Sequence, residues 1–221
     1  MPASPSDKRQ ALVEAARALD RSGLNRGTTG NLSLRDGDHM LITPSAVLCD
    51  ALTPEMVARM PLAGDGGWDG PCKPSSEWRF HRDILRARPD IDAVVHTHAP
   101  FCTILSIARQ PIPAIHYMIS AFGGPDIRVA DYATFGTAAL SAHVVRAMAG
   151  RAGCLMVNHG MVVGGPNLPR ALWLAGELEA LAHQQYHTQV LGRAHVLSDA
   201  EIAETAAAFA GYGVQDKTDA R

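Results

Sequence analysis

The sequence contains no run approaching the roughly 20 apolar residues that a membrane span needs. It also has no block of like charge. Its 20 lysines and arginines are interspersed with 22 aspartates and glutamates, for a formal net charge of −2. That balance leaves no footprint for nucleic acid or an anionic membrane surface, and points to a small polar partner. Cysteine is scarce. Cys49, Cys72, Cys102 and Cys154 show no C-x-x-C spacing, so they suggest neither a disulfide framework nor a sulfur-bound zinc site and read as core fillers. The opening stretch MPASPSDKRQ lacks the apolar core of a secretory signal, and a cytoplasmic protein is expected. Internal repeats and low-complexity segments are missing as well. What is present is a 47% hydrophobic composition spread over 221 residues, enough for one good core and a single domain over 1–221.

Hydrophobic periodicity predicts the elements. Leu12, Val13, Ala16 and Leu19 give a helix over 6–23, stopped by Gly23. Alternation through Leu32 and Leu34, the turn 36–38, and Met40 to Ile42 read as a hairpin. Residues 61–74, rich in Gly and Pro, form a loop or a loose hairpin. A helix capped by Ser75 or Ser76 is expected to run from Pro74 to just before Pro89. A strand then follows over 91–95, with a short helix at 100–108. Strands are expected at 112–117 and 127–130, and a helix at 137–149. Two apolar runs, 154–157 and 161–163, precede a long helix from Leu168 to about Leu191 and a last one over 199–210. Strands grouped in hairpins between helices, without regular βαβ alternation, predict an α/β fold with a central mixed or antiparallel sheet flanked by helices.

The chemistry concentrates in a few places. VVHTHAP sets His96 and His98 one residue apart at the end of an apolar strand. Side chains on a strand alternate faces, so the two imidazoles point the same way and can converge on one ion. They also read as two imidazoles closing a buried strand. His159 lies between Asn158 and Gly160 at a break between apolar runs, on a rim where site residues gather. Glu77 opens its helix and reads either as a ligand or as a carboxylate favoured by the helix dipole. His183 and His187, spaced i, i+4 on one helix, lack an H-E-x-x-H glutamate and read as a polar face. Three imidazoles and a carboxylate without sulfur would suit a catalytic zinc more than a structural one. Around them lie small polar turns at 27–31, 43–46 and 73–76. Each could bring backbone N–H groups to an anion, or be an ordinary loop, turn or cap.

The motifs GTTGNLS, LITPSA, PSSEWRFH, VVHTHAPFCTILS, IPAIHYMISAFGG, YATFGT and NHGMVVGG occur in that order, within a resemblance that runs from about residue 8 to 212. Together they resemble the class II aldolase/adducin family, in its L-fuculose-1-phosphate aldolase branch. The resemblance implies one zinc ion per chain, held by Glu77, His96, His98 and His159, with Glu77 also the acid/base. It implies substrate phosphate at Gly30, Asn31, Ser45, Ala46, Ser75 and Ser76. It further implies that Tyr117 reaches a neighbour's site in a homotetramer, that Phe135 lines that site, and that Tyr212 rides a mobile C-terminal tail from about residue 210. Ala46 stands where the family often has glycine, and the 61–74 loop is this chain's own.

The activity this implies is cleavage of a ketose 1-phosphate to dihydroxyacetone phosphate and an aldehyde. Substrates of the L-fuculose, 5-deoxyribulose or 5-methylthioribulose 1-phosphate type are all compatible. Phosphosugar dehydratases, decarboxylases and a pentulose-phosphate epimerase share the scaffold, and adducin-type members are non-catalytic binding modules. An intact Glu-His-His-His set speaks against the last class, and Tyr117 in IHYMIS favours cleavage.

Overall fold

The computed structural model describes residues 5–209. Its helices are α1 (Pro5–Arg21), α2 (Trp78–Ala87), α3 (Pro100–Ile107), α4 (Ala138–Ala147), α5 (Leu168–Val190) and α6 (Asp199–Phe209). Its strands are β1 (Asn31–Asp36), β2 (His39–Ile42), β3 (Ala58–Pro61), β4 (Ala93–Thr97), β5 (Val129–Ala130), β6 (Gly153–Met156) and β7 (Gly160–Gly165). They form one sheet in the order β3-β2-β1-β4-β7-β6-β5. Every pairing is antiparallel except that of β5 with β6, so the sheet is mixed, as expected.

Alternation along the strands divides the core in two. Leu32, Val95, Met161 and Val163 face a layer that includes α1, α3 and α5, while Val94, Cys154, Met156 and Val162 face α2 and α4. A strand whose two faces are both covered reads as a continuous apolar run rather than an alternating one. This explains the buried residues all along β4.

Several expectations need correction. Residues 112–117 form no strand. Ile112 makes only an isolated bridge to Ile127, because Pro111 and Pro113 on either side supply no N–H for a ladder. Tyr117 instead begins a 3₁₀ helix, Tyr117–Phe122. The strand at 127–130 shrinks to Val129–Ala130. Helix α2 begins at Trp78 with Glu77 at its N-cap position. Ser75 turns the chain ahead of it, its Oγ accepting from the Glu77 N–H at 3.3 Å. The 61–74 loop curls back as a loose hairpin in which Arg59 and Asp69 exchange backbone hydrogen bonds. Its preceding strand β3 and the short 3₁₀ turns Cys49–Ala51 and Pro54–Met56 went unforeseen.

The remaining elements start and stop for local reasons. Thr137 and Asn167 cap α4 and α5 through their side chains. Helix α3 is held at its start by α5, as both Glu179 oxygens accept backbone N–H groups, from Phe101 at 2.8 Å and Cys102 at 2.9 Å. A carboxylate on a helix N-terminus satisfies donors that have no partner within the helix. It also fixes the turn that carries His98 out of β4.

Candidate metal centre

Strand β4 pairs with β1 and β7 so that His96 lies opposite Asn31 on one side and Val162 on the other. His96 is fully buried, and its Nδ1 donates to the Met161 carbonyl at 2.8 Å. That bond turns Nε2 and its lone pair toward the cluster. His98 follows just past the end of β4, its side chain on the same side as predicted, with the two rings 5.0 Å apart. His159 enters from the β6–β7 turn. There Asn158 adopts a left-handed conformation (φ 55°), one that asparagine tolerates better than most residues. Gly160 is required beside it, since a Cβ at that position would collide with the Thr97 carbonyl oxygen. Nitrogens of His96, His98 and His159 all lie within 4.8 Å of one another, and they are the only such group of three or more potential ligands among the described residues.

Glu77 completes the cluster from the α2 N-cap. Its Oε2 lies 3.2 Å from His96 Nε2 and its Oε1 lies 3.0 Å from His159 Nε2. Burial alone would raise its carboxyl, but the imidazoles of His96 and His159 outweigh that and hold it well below the usual carboxylate range. Burial and the neighbouring His96 and His159 push His98 down to about 4. Glu77 is therefore ionised and His98 neutral near pH 7, the forms that bind a cation. His98 Nε2 is buried without a hydrogen-bond partner, and Glu77 Oε1 and His96 Nε2, though close to His159 and to Oε2, meet them without hydrogen-bond geometry. Buried polar atoms ordinarily have one, and a divalent metal is the partner that would serve all three. The donor set fits such an ion.

Above the cluster opens a cavity of about 520 Å³. Its walls bring together all the residues proposed for phosphate, namely Gly30, Asn31, Ser45, Ala46, Ser75 and Ser76, with Phe135 at 63% exposure on the rim. Among the described residues no lysine or arginine lines it, so an anion here would rest on hydroxyls, amides and any bound metal. Some of the amides are already committed. Ser45 N–H donates to the Lys73 carbonyl and Ser75 N–H to that of Thr43, so these two serines have only hydroxyls to give. Ala46 sits in the left-handed region (φ 57°), where a Cβ costs about 1–2 kcal/mol. Glycine would relieve that strain but lose more entropy on folding. We therefore expect Ala46→Gly to raise stability by about 0.5–1 kcal/mol, seen as a higher urea midpoint. A midpoint that falls would mean the methyl group is packed favourably.

Residues 10–186 match the profile of the Class II Aldolase and Adducin N-terminal domain. The chain belongs to the class II aldolase and adducin family. It is 48% identical over 213 residues to a 5-methylthioribulose-1-phosphate/5-deoxyribulose-1-phosphate aldolase of Rhodospirillum rubrum, covering 96% of each chain. To an L-fuculose phosphate aldolase of Escherichia coli it is 46% identical over 206 residues, covering 92% of this chain and 94% of the other. A solved L-fuculose 1-phosphate aldolase superposes with a TM-score of 0.90 at 38% identity, over 94% of this chain and 98% of that one. These family relatives are named as aldolases, and the sheet order and flanking helices are those of this fold.

Other expected residues lie elsewhere. Tyr117 is not among the residues lining the cavity. It is half exposed in an apolar groove with Met118, Ala208 and Phe209. Tyr212 and the tail from 210 fall outside the described residues. His183 and His187 are exposed on α5, their rings gathered with Phe101 and Tyr186. They form an aromatic patch rather than part of the metal cluster. Sequence reasoning missed Tyr132 on the cavity rim, and it missed His81 and Ser33 behind Glu77. The spacing of the last two was in the sequence, His81 four residues after the N-cap Glu77 and Ser33 two after Asn31 on β1, but not the pairing of the two segments.

Proposed function

We propose that this chain is a zinc-dependent aldolase that reversibly cleaves a ketose 1-phosphate, of the L-fuculose, 5-deoxyribulose or 5-methylthioribulose 1-phosphate type, to dihydroxyacetone phosphate and an aldehyde. The observation that carries this reading is the convergence of Glu77, His96, His98 and His159 at the base of a cavity walled by small hydroxyl-bearing turns. Zinc, when bound, supplies Lewis acidity to the oxygen at C2 as the C3–C4 bond breaks. The hydroxyls of Ser45, Ser75 and Ser76 and the spare N–H of the Asn31 amide hold the phosphate. The ring of Phe135 shields the reacting carbons from water. Glu77 carries the proton to and from C3, while Tyr117 of a neighbouring subunit handles the proton on the C4 oxygen that becomes the aldehyde.

The direct test incubates the purified protein with each candidate ketose 1-phosphate, dihydroxyacetone phosphate being consumed by a coupled NADH-dependent reductase. Loss of NADH absorbance with at least one member is expected, and none with any member would refute the reading. A non-catalytic binding module would show no turnover with any of them, and metal analysis separates it from the enzyme.

A head-to-tail homotetramer follows from the Tyr117 assignment, and a cytoplasmic location suits the four free thiols. The exposure of Tyr117 supports a role at a neighbour's site, because a ring that does not line its own cavity must serve another or none. Tyr117→Phe is expected to impair cleavage while zinc content stays normal. Mixing Tyr117→Phe and Glu77→Gln subunits and reassembling them should restore part of the activity. Hybrids shown to have exchanged subunits, yet with no gain, would rule out the shared site.

A further inference from the structure

Behind the metal cluster lies a buried polar chain that the reaction above does not use. Ser33 and His81 are both fully buried, and Asn31 nearly so. Ser33 Oγ lies 2.8 Å from His81 Nδ1, His81 Nε2 lies 2.5 Å from Asn31 Oδ1, and Asn31 Nδ2 donates to Glu77 Oε2 at 2.9 Å. The four residues come from two elements whose periods match. Glu77 at the N-cap of α2 and His81 four residues on, within the helix, both turn toward β1, where Asn31 and Ser33 share one face. His81 also stacks on Phe80 at 4.8 Å, and Phe80 meets the edge of His96. An apolar side chain would fill this part of the core without any need for partners.

The directions of these bonds are forced, starting from the carboxylate. The Asn31 amide turns its NH₂ toward Glu77 and its oxygen toward His81, the arrangement a ligating carboxylate needs, since it can only accept. That oxygen can only accept, so the His81 proton must sit on Nε2. Nδ1 is then an acceptor for the Ser33 hydroxyl, which can donate or accept and so follows the tautomer that Asn31 sets. Without His81, Asn31 Oδ1 is a buried acceptor with no donor, a cost that lets the amide turn in search of one and take its N–H away from Glu77 Oε2.

We propose that His81 is a positioning residue for the metal centre, locking the Asn31 amide so that Glu77 is held in its ligating orientation. This rests on the metal reading given above. His81 touches neither metal nor substrate, and acts only through Asn31. Partners in this outer position characteristically govern metal affinity by 10–100-fold.

The test is a zinc competition titration against a chelator, run on the full chain. His81→Phe keeps the stack on Phe80 and removes both hydrogen bonds. Asn31→Asp still accepts from His81 but offers Glu77 no donor. Each is expected to weaken zinc binding by about 10–100-fold. The double variant should bind no more weakly than the worse single one, because both changes break one chain of bonds. Unaltered affinity in His81→Phe, or losses that add in the double variant, would overturn the proposal, since additivity is what a purely structural histidine would give. A second measurement needs no variant. In ¹⁵N-histidine-labelled wild-type protein, with His81 assigned through its contact to the Asn31 amide, the ring should be the Nε2–H tautomer, and an Nδ1–H ring overturns the proposal. If wild-type protein binds no zinc at all, the metal reading fails by itself, and the tautomer still decides whether the chain of bonds exists.

Discussion

His98→Ala should yield a folded protein that no longer retains zinc through dialysis against a mild chelator, where the parent keeps about one ion per chain. Removing a first ligand should cost well beyond the roughly 10–100-fold that an outer partner is worth. The same loss is expected of His96→Ala and His159→Ala, with a difference in stability that separates the three. His96 is fully buried and bonded to the Met161 carbonyl. Truncating it leaves that acceptor unsatisfied, at about 1–3 kcal/mol. His98 lies past the strand end and is only partly buried, so its loss should barely move the melting temperature of the metal-free protein. His183→Ala should change neither metal content nor activity. Full zinc occupancy in the three site variants, measured by plasma emission spectrometry, would remove the basis for the metal centre.

The second large effect belongs to Glu77→Gln. The amide keeps the shape of the side chain and its oxygen can still accept from Asn31 Nδ2, but it carries no exchangeable carboxyl proton. With zinc at saturating concentration, KM for the phosphorylated substrate should stay within a few-fold and kcat should fall by about 10²-fold or more. Loss confined to KM would assign Glu77 to binding alone. Near-normal turnover would end its role as the proton carrier. Saturating zinc matters because Glu77 lies within 3.2 Å of two of the three imidazoles, so its replacement weakens the metal as well as the chemistry.

The parts of this architecture that were legible in the sequence are those governed by local rules. The H-T-H pair was readable because strand period fixes which way two side chains point, whatever the rest of the fold does. Helices α1, α4 and α5 were readable from apolar spacing and caps. The errors came where tertiary contacts or proline decide. IPAIHY has the composition of a strand, yet Pro113 interrupts its donors and the chain turns into 3₁₀ geometry at Tyr117. Glu77 was placed inside its helix by composition, whereas Ser75 redirects the chain and leaves Glu77 at the N-cap, facing the histidines. Pattern reading could find four ligands in three separate segments and group them as a candidate zinc set, and the family resemblance turned that candidate into an assignment. His81 was passed over because a histidine four residues beyond a glutamate gains meaning only when β1 is known to lie across from it.

The position of β4 at the centre of the sheet has a consequence for how the protein reaches its folded state. His96 is in register with Asn31 on one neighbouring strand and hydrogen-bonds Met161 on the other, 65 positions further along the chain. Both pairings close long loops, an entropic cost that must be met before the contacts can repay it. Glu77, His96, His98 and His159 therefore become neighbours only when the sheet closes. An ion that recognises all four has nothing to grip in the early collapsed chain, so it stabilises the product of folding and not the barrier. Zinc should accordingly slow unfolding and leave the refolding rate nearly unchanged, making the ion a latch on a finished structure and not a nucleus for building it.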